Sequence, residues 1–265
     1  MDQNIIFCFT GTGNSLKVSK DIAKSLPNCT IHHMSRENAD ADISEYTRVG
    51  FIFPVYFLGL PLQVAEFINT LVIPHNFTGY FFAVGTYANF RGNATRQVNT
   101  ILRQRERGLK YSSNIKMGDN TIAFHAFYDN NPNFEKLNTS YEHDIAKTIS
   151  EISELHMRYV KREFWPAKVY YHMQISRLSN RDKGFSVSQN CKQCGICVSI
   201  CPANNIGIVN GQPVFHHKCE QCMACIQLCP IMAIDFNGMC AKRNRYKHPD
   251  ISVEEISKLH MKRKR

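Results

Sequence analysis

Short apolar runs alternate along the first two thirds of the chain with longer stretches of helical period. Residues 4–9 (NIIFCF) form a buried-type run, and from Asn14 to Leu26 the apolar positions Leu16, Val18, Ile22, Ala23 and Leu26 recur on one helical face. Pro27 ends that helix. Residues 29–34 (CTIHHM), 48–56 (RVGFIFPVY) and 79–87 (GYFFAVGTY) read as three further strands. Pro61 opens a helix through Leu71, and a polar, arginine-rich helix is expected over roughly 92–107. A fifth strand comes from either 121–127 (TIAFHAF) or the segment near Tyr111, and a long helix from about Tyr141 to Arg162.

Strands alternating with helices through short connections predict an α/β fold, a parallel, doubly wound sheet covered on both faces. Such sheets bind ligands outside the carboxyl ends of their strands, which singles out the loops after the first, third and fourth strands. The remainder divides into a connector over 166–185 with mixed aromatic and basic residues, a cysteine-rich segment over 186–240 and a basic tail over 241–265, after a first domain over 1–165.

Apolar residues make up 43% of the chain, enough for a substantial core. No run approaches the ~18 apolar residues of a membrane-spanning helix. The N-terminal MDQNIIFCFTG lacks the basic region and apolar length of a signal peptide, so a cytoplasmic, reducing location is expected. There, eleven cysteines argue for metal ligation over disulfides. The net charge of +10 suggests an acidic partner until bound anionic groups are counted.

Cys191, Cys194, Cys197 and Cys201-Pro202 follow the pattern C-x2-C-x2-C-x3-C-P, and the whole pattern recurs 28 positions later at Cys219, Cys222, Cys225 and Cys229-Pro230. Three thiolates from one tight loop plus one from elsewhere suit a cubane iron–sulfur cluster. Zinc, which takes four ligands in pairs, leaves the third cysteine and the Cys-Pro of each run unexplained. Residues 206–215 between the runs predict a hairpin turning on Asn210-Gly211. The segment resembles the bacterial two-cluster ferredoxins, which implies two 4Fe–4S clusters and a crossed ligand set. On that rule Cys191, Cys194, Cys197 and Cys229 hold one cluster, and Cys219, Cys222, Cys225 and Cys201 the other.

The first strand runs into Phe9-Thr10-Gly11-Thr12-Gly13-Asn14-Ser15 at the start of a helix, where amide groups and the helix dipole favour an anion. The P-loop pattern fails for want of a Gly-Lys-Ser/Thr, and the dinucleotide fingerprint fails at Leu16, where its third glycine belongs. Thr10, Thr12, Gly13 and Ser15 are instead similar to the flavodoxin phosphate loop, with Gly11 and Asn14 between them. Pro54, Val55, Tyr56, Phe57 and Gly59 after the third strand, and Thr86, Tyr87, Ala88, Asn89, Phe90 and Gly92 after the fourth, stand where that family's two flavin loops stand. The resemblance implies bound FMN.

Taken together, the chain resembles the flavodoxin–ferredoxin fusion proteins of anaerobic prokaryotes. The resemblance implies a sheet of order 2-1-3-4-5 and electron transfer between FMN and two 4Fe–4S clusters, with a redox protein as donor or acceptor. If flavin and cluster lie far apart within one chain, a homodimer or a partner protein is needed to complete the path. The alternative is an FMN-dependent oxidoreductase that reduces a small organic or quinone substrate, with the clusters as electron inlet. Nucleic-acid binding through the Lys/Arg-rich end is disfavoured, because such runs usually belong to solvated tails. One departure stands out: no Asp or Glu occurs from Phe51 to Ala65 or from Tyr80 to Gln104, while Arg91, Arg96 and Arg103 follow the second flavin loop. Fewer negative charges near the ring predict a less negative hydroquinone potential than in acidic flavodoxins.

Overall fold

A computed structural model describes residues 2–123, 128, 130–158 and 164–261. Strand β1 (Gln3–Cys8) leads into helix α1 (Asn14–Ser25), and β2 (Cys29–His33), β3 (Tyr46–Pro54), α2 (Leu62–Thr70), β4 (Tyr80–Tyr87), α3 (Ala94–Gln104), β5 (Tyr111–Lys116) and α4 (Phe134–Ser153) follow. The five strands form one parallel sheet in the order β2-β1-β3-β4-β5. This is the flavodoxin-like doubly wound arrangement. The central strands β1, β3 and β4 are nearly continuously buried, because helices cover both faces.

The fifth strand is the segment beginning at Tyr111. It is the polar edge strand YSSNIK, in which Tyr111, Ser113 and Ile115 are buried in alternation. The competing segment 121–127 begins as a turn, and its residues 124–127 lie outside those described. Helix α4 begins earlier than expected, where Asn133 Oδ1 accepts from Lys136 N and caps it, and it ends at Ser153. Residues 159–162 of the expected helix lie outside the described residues.

The connector holds a helix, α5 (Trp165–Ile175), and a 3-10 turn over Leu178–Gly184. Helix α5 seats Ala167 and Tyr171 inward, and Tyr171 Oη donates to Leu60 O at 2.7 Å. In the cysteine-rich segment β6 (Phe185–Val187) pairs antiparallel with β9 (Ile234–Phe236). Between them lie α6 (Ile196–Ser199), the hairpin β7 (Ile206–Val209) and β8 (Gln212–Phe215), and α7 (Ala224–Gln227). Asn210 and Gly211 both take positive φ, 48° and 79°, as a type I′ turn requires. Where a basic tail was expected, a helix α8 (Val253–Met261) buries Ile256 and Leu259.

The two modules share one core. Phe7, Phe9, Phe53 and Leu60 on one face of the sheet belong to the same buried cluster as Ile200, Leu228, Ile251, Ile256 and Leu259. Glu220, between two cysteines, accepts from the N–H groups of Leu62 and Gln63 at 3.0 and 2.6 Å and so caps α2, which has no cap of its own. Among the described residues no helix is long and apolar enough to cross a membrane.

Candidate functional site

The repeat seen in the cysteine spacing is also a repeat of backbone geometry. Gln193 and Gln221 take φ of 55° and 51°, Gly195 and Met223 72° and 59°, and Asn204 and Met232 51° and 52°. Every pair is 28 residues apart, as are α6 and α7. Left-handed residues next to right-handed ones turn successive N–H groups toward one concavity, which suits an anionic cluster. Amide-to-sulfur bonds follow the same offset: Asn205 N donates to Cys201 Sγ and Ala233 N to Cys229 Sγ, both at 3.2 Å. Gln221 N donates to Cys219 Sγ at 3.2 Å.

The thiols gather in two groups. Burial pushes the Cys197 thiol up to about 11, and Cys191, Cys194 and Cys229 beside it push the same way. Burial raises Cys219 to about 12, and Cys201 pushes the same way. Cys222 and Cys225 are raised well above the ordinary thiol range by burial, and both also feel Cys201 and Cys219. Among the described residues no three His, Cys, Asp or Glu side chains converge tightly enough for a single metal ion. A cubane spreads its thiolates around four irons and needs them wider apart. Free thiols, buried at Cys201, Cys222 and Cys225, half-buried at four of the others and exposed at Cys194, and met by inward N–H groups, fit that cluster chemistry.

The second site is a cleft of about 760 Å³ at the carboxyl ends of β1, β3, β4 and β5. Thr10, Gly11, Thr12, Asn14 and Ser15 line one end, and Pro54, Val55, Tyr56, Phe57, Thr86, Tyr87, Ala88, Asn89 and Phe90 line the rest. Gly13, Gly59 and Gly92 shape the loops without lining the cleft. Gly13 takes φ 100° as α1 begins, and α1 has no side-chain cap, which leaves its first-turn amides to a ligand. Gly13 N donates to Thr10 Oγ1 at 3.2 Å, and Ser15 Oγ shares a hydrogen bond with Thr86 Oγ1 at 2.8 Å. Tyr56 and Gly59 exchange both backbone hydrogen bonds across Phe57 and Leu58, which have φ of 51° and 64°. A Cβ on Gly59 would lie 2.2 Å from the Tyr171 ring, so its absence lets α5 dock. An uncapped helix start, small polar residues and an aromatic-walled cleft together fit a phosphate-bearing flavin.

Several lining residues come from segments the sequence reading left out. Gly118, Asn120 and Thr121 follow β5, Tyr170 is on α5, and Gln221, Met223, Phe236 and Met239 belong to the cysteine-rich module. The loop after β5 was findable, since it also sits at the carboxyl end of the sheet. The contributions of the cysteine module carry no local signal. The described lining includes no Asp, Glu, Lys or Arg. The three arginines named from the sequence also stay out: Arg91 packs over the Tyr87 ring at 5.7 Å, Arg96 lines a different pocket, and Arg103 is exposed.

The C-terminal segment clasps the phosphate loop. His248 N donates to Thr12 O at 3.0 Å, Tyr246 Oη donates to Asn14 Oδ1 at 2.6 Å, and a Cβ on Gly13 would lie 3.0 Å from Ile251 Cβ. Asn14 Nδ2 in turn donates to Gly118 O at 2.9 Å, so this side chain ties three segments together. Burial lowers the His248 imidazole from 6.5 to about 4, opposed by Asp250 and reinforced by Lys17 and Lys247. A depressed histidine pKa means stability that is fully present above pH 6.5 and is lost as pH falls toward 4. In the flavin-free protein, the hydrogen-exchange protection factor of the segment around His248, with the intrinsic pH dependence of exchange divided out, is therefore expected to fall as pH drops from 7 to 4.5, and His248→Gln to remove that dependence. Equal protection at both pH values would contradict it.

Residues 176–234 match the family model for the 4Fe-4S dicluster domain. No curated protein matches the chain. Among solved structures the chain is similar to rubredoxin oxygen:oxidoreductase from the anaerobe Desulfovibrio gigas, at 17% identity and TM-score 0.36 over 57% of this chain and 36% of that one. It is also similar to the Trp repressor binding protein from Bacillus subtilis, at 16% identity and TM-score 0.39, covering 60% of this chain and all (100%) of the other. An FMN-dependent NADH-azoreductase from Bacillus anthracis, in complex with FMN, aligns at 10% identity and TM-score 0.35 over 57% of this chain and 99% of that one. The chain joins a flavodoxin-like domain to a 4Fe–4S dicluster domain, a composition that fits a flavodoxin–ferredoxin fusion.

Proposed function

We propose that this protein is an electron-transfer iron–sulfur flavoprotein in which FMN occupies the cleft and the two crossed cysteine sets each hold a 4Fe–4S cluster. One observation carries the reading: the phosphate loop and a cluster loop are in direct contact. A Cβ on Gly11 would lie 3.0 Å from Cys222 O and 3.1 Å from Cys222 Cβ, and Gln221 and Met223 on either side of Cys222 line the cleft. Asn120 Nδ2 donates to both Thr12 Oγ1 and Cys222 O at 3.3 Å, and Gln227 Nε2 donates to Asn120 O at 3.0 Å. One wall thus belongs to both sites, and transfer within a single chain needs no dimer.

When bound, FMN exchanges one or two electrons and the clusters one at a time. The chain's own residues supply position and environment. Thr10, Thr12 and Ser15 with the start of α1 hold the phosphate, Tyr56, Tyr87 and Phe90 bound the ring, and Met223 with Phe236 excludes water on the cluster side. Tyrosines are the only ionisable groups in the described lining, and burial raises Tyr56 well above its ordinary value. A wall without an acid or base at neutral pH suits a carrier better than a proton-transferring enzyme.

Rapid mixing of the anaerobically reduced protein with a one-electron acceptor tests the reading. Cluster and flavin absorbance are expected to reoxidise together, at a rate independent of protein concentration. Transfer that slows in proportion to dilution would defeat it. The second reading, reduction of a small organic or quinone substrate, draws on the apolar end of the cleft at Ala123, Met223, Phe236 and Met239. Turnover of such a substrate with dithionite as reductant decides between the two. The less negative hydroquinone potential is retained, with its cause in the missing carboxylates rather than in the arginines. Introducing one by Asn89→Asp is expected to lower the second flavin couple in a potentiometric titration.

A further inference from the structure

The two cysteine sets face different ways. Cys222 lies against the phosphate loop, and Cys201, Cys222 and Cys225 are all buried. In the other set Cys191, Cys197 and Cys229 are half-buried and Cys194 is exposed, the one exposed thiol of the eight. The sets are neighbours, since Cys225 feels Cys197 as well as its own group. A route from the cleft through the Cys222 set to the Cys194 set therefore ends at the surface.

Apolar side chains flank that exit. Ile208, Val209 and Met232 are 46%, 53% and 57% exposed. The hairpin that carries the first two sits on the loop leading to Cys194, because a Cβ on Gly211 would lie 2.7 Å from Gln193 Oε1. Met232 follows Cys229 on the turn that sends Ala233 N to Cys229 Sγ. Lys192, inside the Cys191–Cys194 loop, is exposed.

The charge around this surface has one sign. From Lys183 to Ile234 the exposed charged side chains are Lys183, Lys192 and Lys218, and the only carboxylate, Glu220, is buried on the start of α2. Just outside that stretch Asp182 takes Asn205 Nδ2 at 3.1 Å and Asp235 takes Cys240 N at 3.1 Å, so both turn inward. On α8, which packs beside α6, Glu254 and Glu255 are paired with Lys258 and Lys20. An apolar centre with a charged rim is the anatomy of a protein interface, and the rim charge draws in a surface of opposite sign. A second copy of this chain would bring the same cations together across a two-fold axis, so like charge opposes self-association here.

Resting on the electron-transfer reading, we propose that Lys192, Cys194, Ile208, Val209 and Met232 form the docking surface for an acidic one-electron carrier protein. One electron leaves the reduced cluster of the Cys191 set and enters the carrier's redox centre. The cluster is oxidised, the carrier is reduced, and no bond or proton moves.

The cluster-loaded protein is titrated anaerobically by calorimetry with two acidic probes, a plant-type 2Fe–2S ferredoxin and a flavodoxin, and with the basic cytochrome c as the probe of opposite charge. All proteins are oxidised, so binding stands or falls separately from the flavin-to-cluster transfer tested above. Saturable binding of an acidic probe is expected, at least ~10-fold weaker at about 0.3 M salt than at about 0.03 M, with none of cytochrome c. Lys192→Glu and the double change Ile208→Ser/Val209→Ser are each expected to weaken it at least ~10-fold. Lys24→Glu, the same charge change on an exposed side chain of α1, is expected to leave it unaltered. Iron content verifies that each variant is loaded, and the hairpin double keeps the test open should Lys192→Glu lose iron, because it lies outside the cysteine loops. Failure of both acidic probes to bind, binding indifferent to both changes, or self-association or uptake by anionic vesicles through the same residues would overturn the proposal.

Discussion

Replacing Cys201 and Cys219 together by alanine is expected to leave about four irons per chain and one intact 4Fe–4S signal on reduction, whereas replacing Cys201 and Cys191 together leaves no intact cluster. The two doubles remove the same number of thiols, so any difference reads out the ligand sets. If Cys201 belongs with Cys219, Cys222 and Cys225, the first double strips two ligands from one cluster and spares the other. The second double strips one ligand from each. The grouping of thiols around Cys197 and around Cys222 supports the crossed arrangement. Reversed outcomes, with an intact cluster in the Cys201/Cys191 double and none in the Cys201/Cys219 double, would show that each run keeps its own fourth cysteine. Iron analysis and low-temperature electron paramagnetic resonance make the measurement.

Removing everything after Asn244 has the second large effect. FMN affinity is expected to fall by about two orders of magnitude, equivalent to ~2.8 kcal/mol, and the cysteine-rich module to become sensitive to protease. Tyr246, Ile251, Ile256 and Leu259 are all buried, and full burial of such a side chain contributes ~1.5–3 kcal/mol. The same segment holds Thr12 O and Asn14 Oδ1, so its loss frees the loop that faces the phosphate. From α8, His260 Nδ1 faces Ile200 O at 3.0 Å, and its ring stacks edge-on to His33 at 4.6 Å between centroids. One segment therefore joins the cysteine module to the sheet and steadies the loop that opens α1. Fluorescence titration of the flavin-free protein measures the affinity. Ile251→Ala in the whole chain, which thins the core at Gly13 without removing the segment, is expected to give a smaller loss in the same direction. Unchanged FMN affinity after truncation would mean that the segment merely covers the surface.

The sheet was legible from the sequence where strands are buried on both sides, because β1, β3 and β4 must then be apolar at nearly every position. It was ambiguous at β5, an edge strand whose polar residues face outward and whose pattern is weaker than the apolar segment that follows. The cleft-lining loops after β1, β3 and β4 were legible because each is a contiguous stretch at a strand end. Arg91, Arg96 and Arg103 follow the second aromatic loop in the chain, yet none of them lines the cleft. Arg96 and Arg103 leave from α3, whose rotation about its axis decides what they face, and Arg91, before that helix, packs on the Tyr87 ring.

The cysteine runs fixed their own geometry from spacing alone. Two-residue gaps force tight turns, and the left-handed residues recur at the same offset as the cysteines. Local patterns of this kind determine strands, helices, the phosphate loop and the thiol clusters, because the physical constraint acts within a few residues. Contacts between Gly11 and Cys222, Glu220 and α2, or His248 and Thr12 join positions far apart in the chain. No local periodicity encodes them. They follow from how the two modules bury their remaining apolar surface against each other, and only the tertiary structure decided that the cleft and the Cys222 loop share a wall.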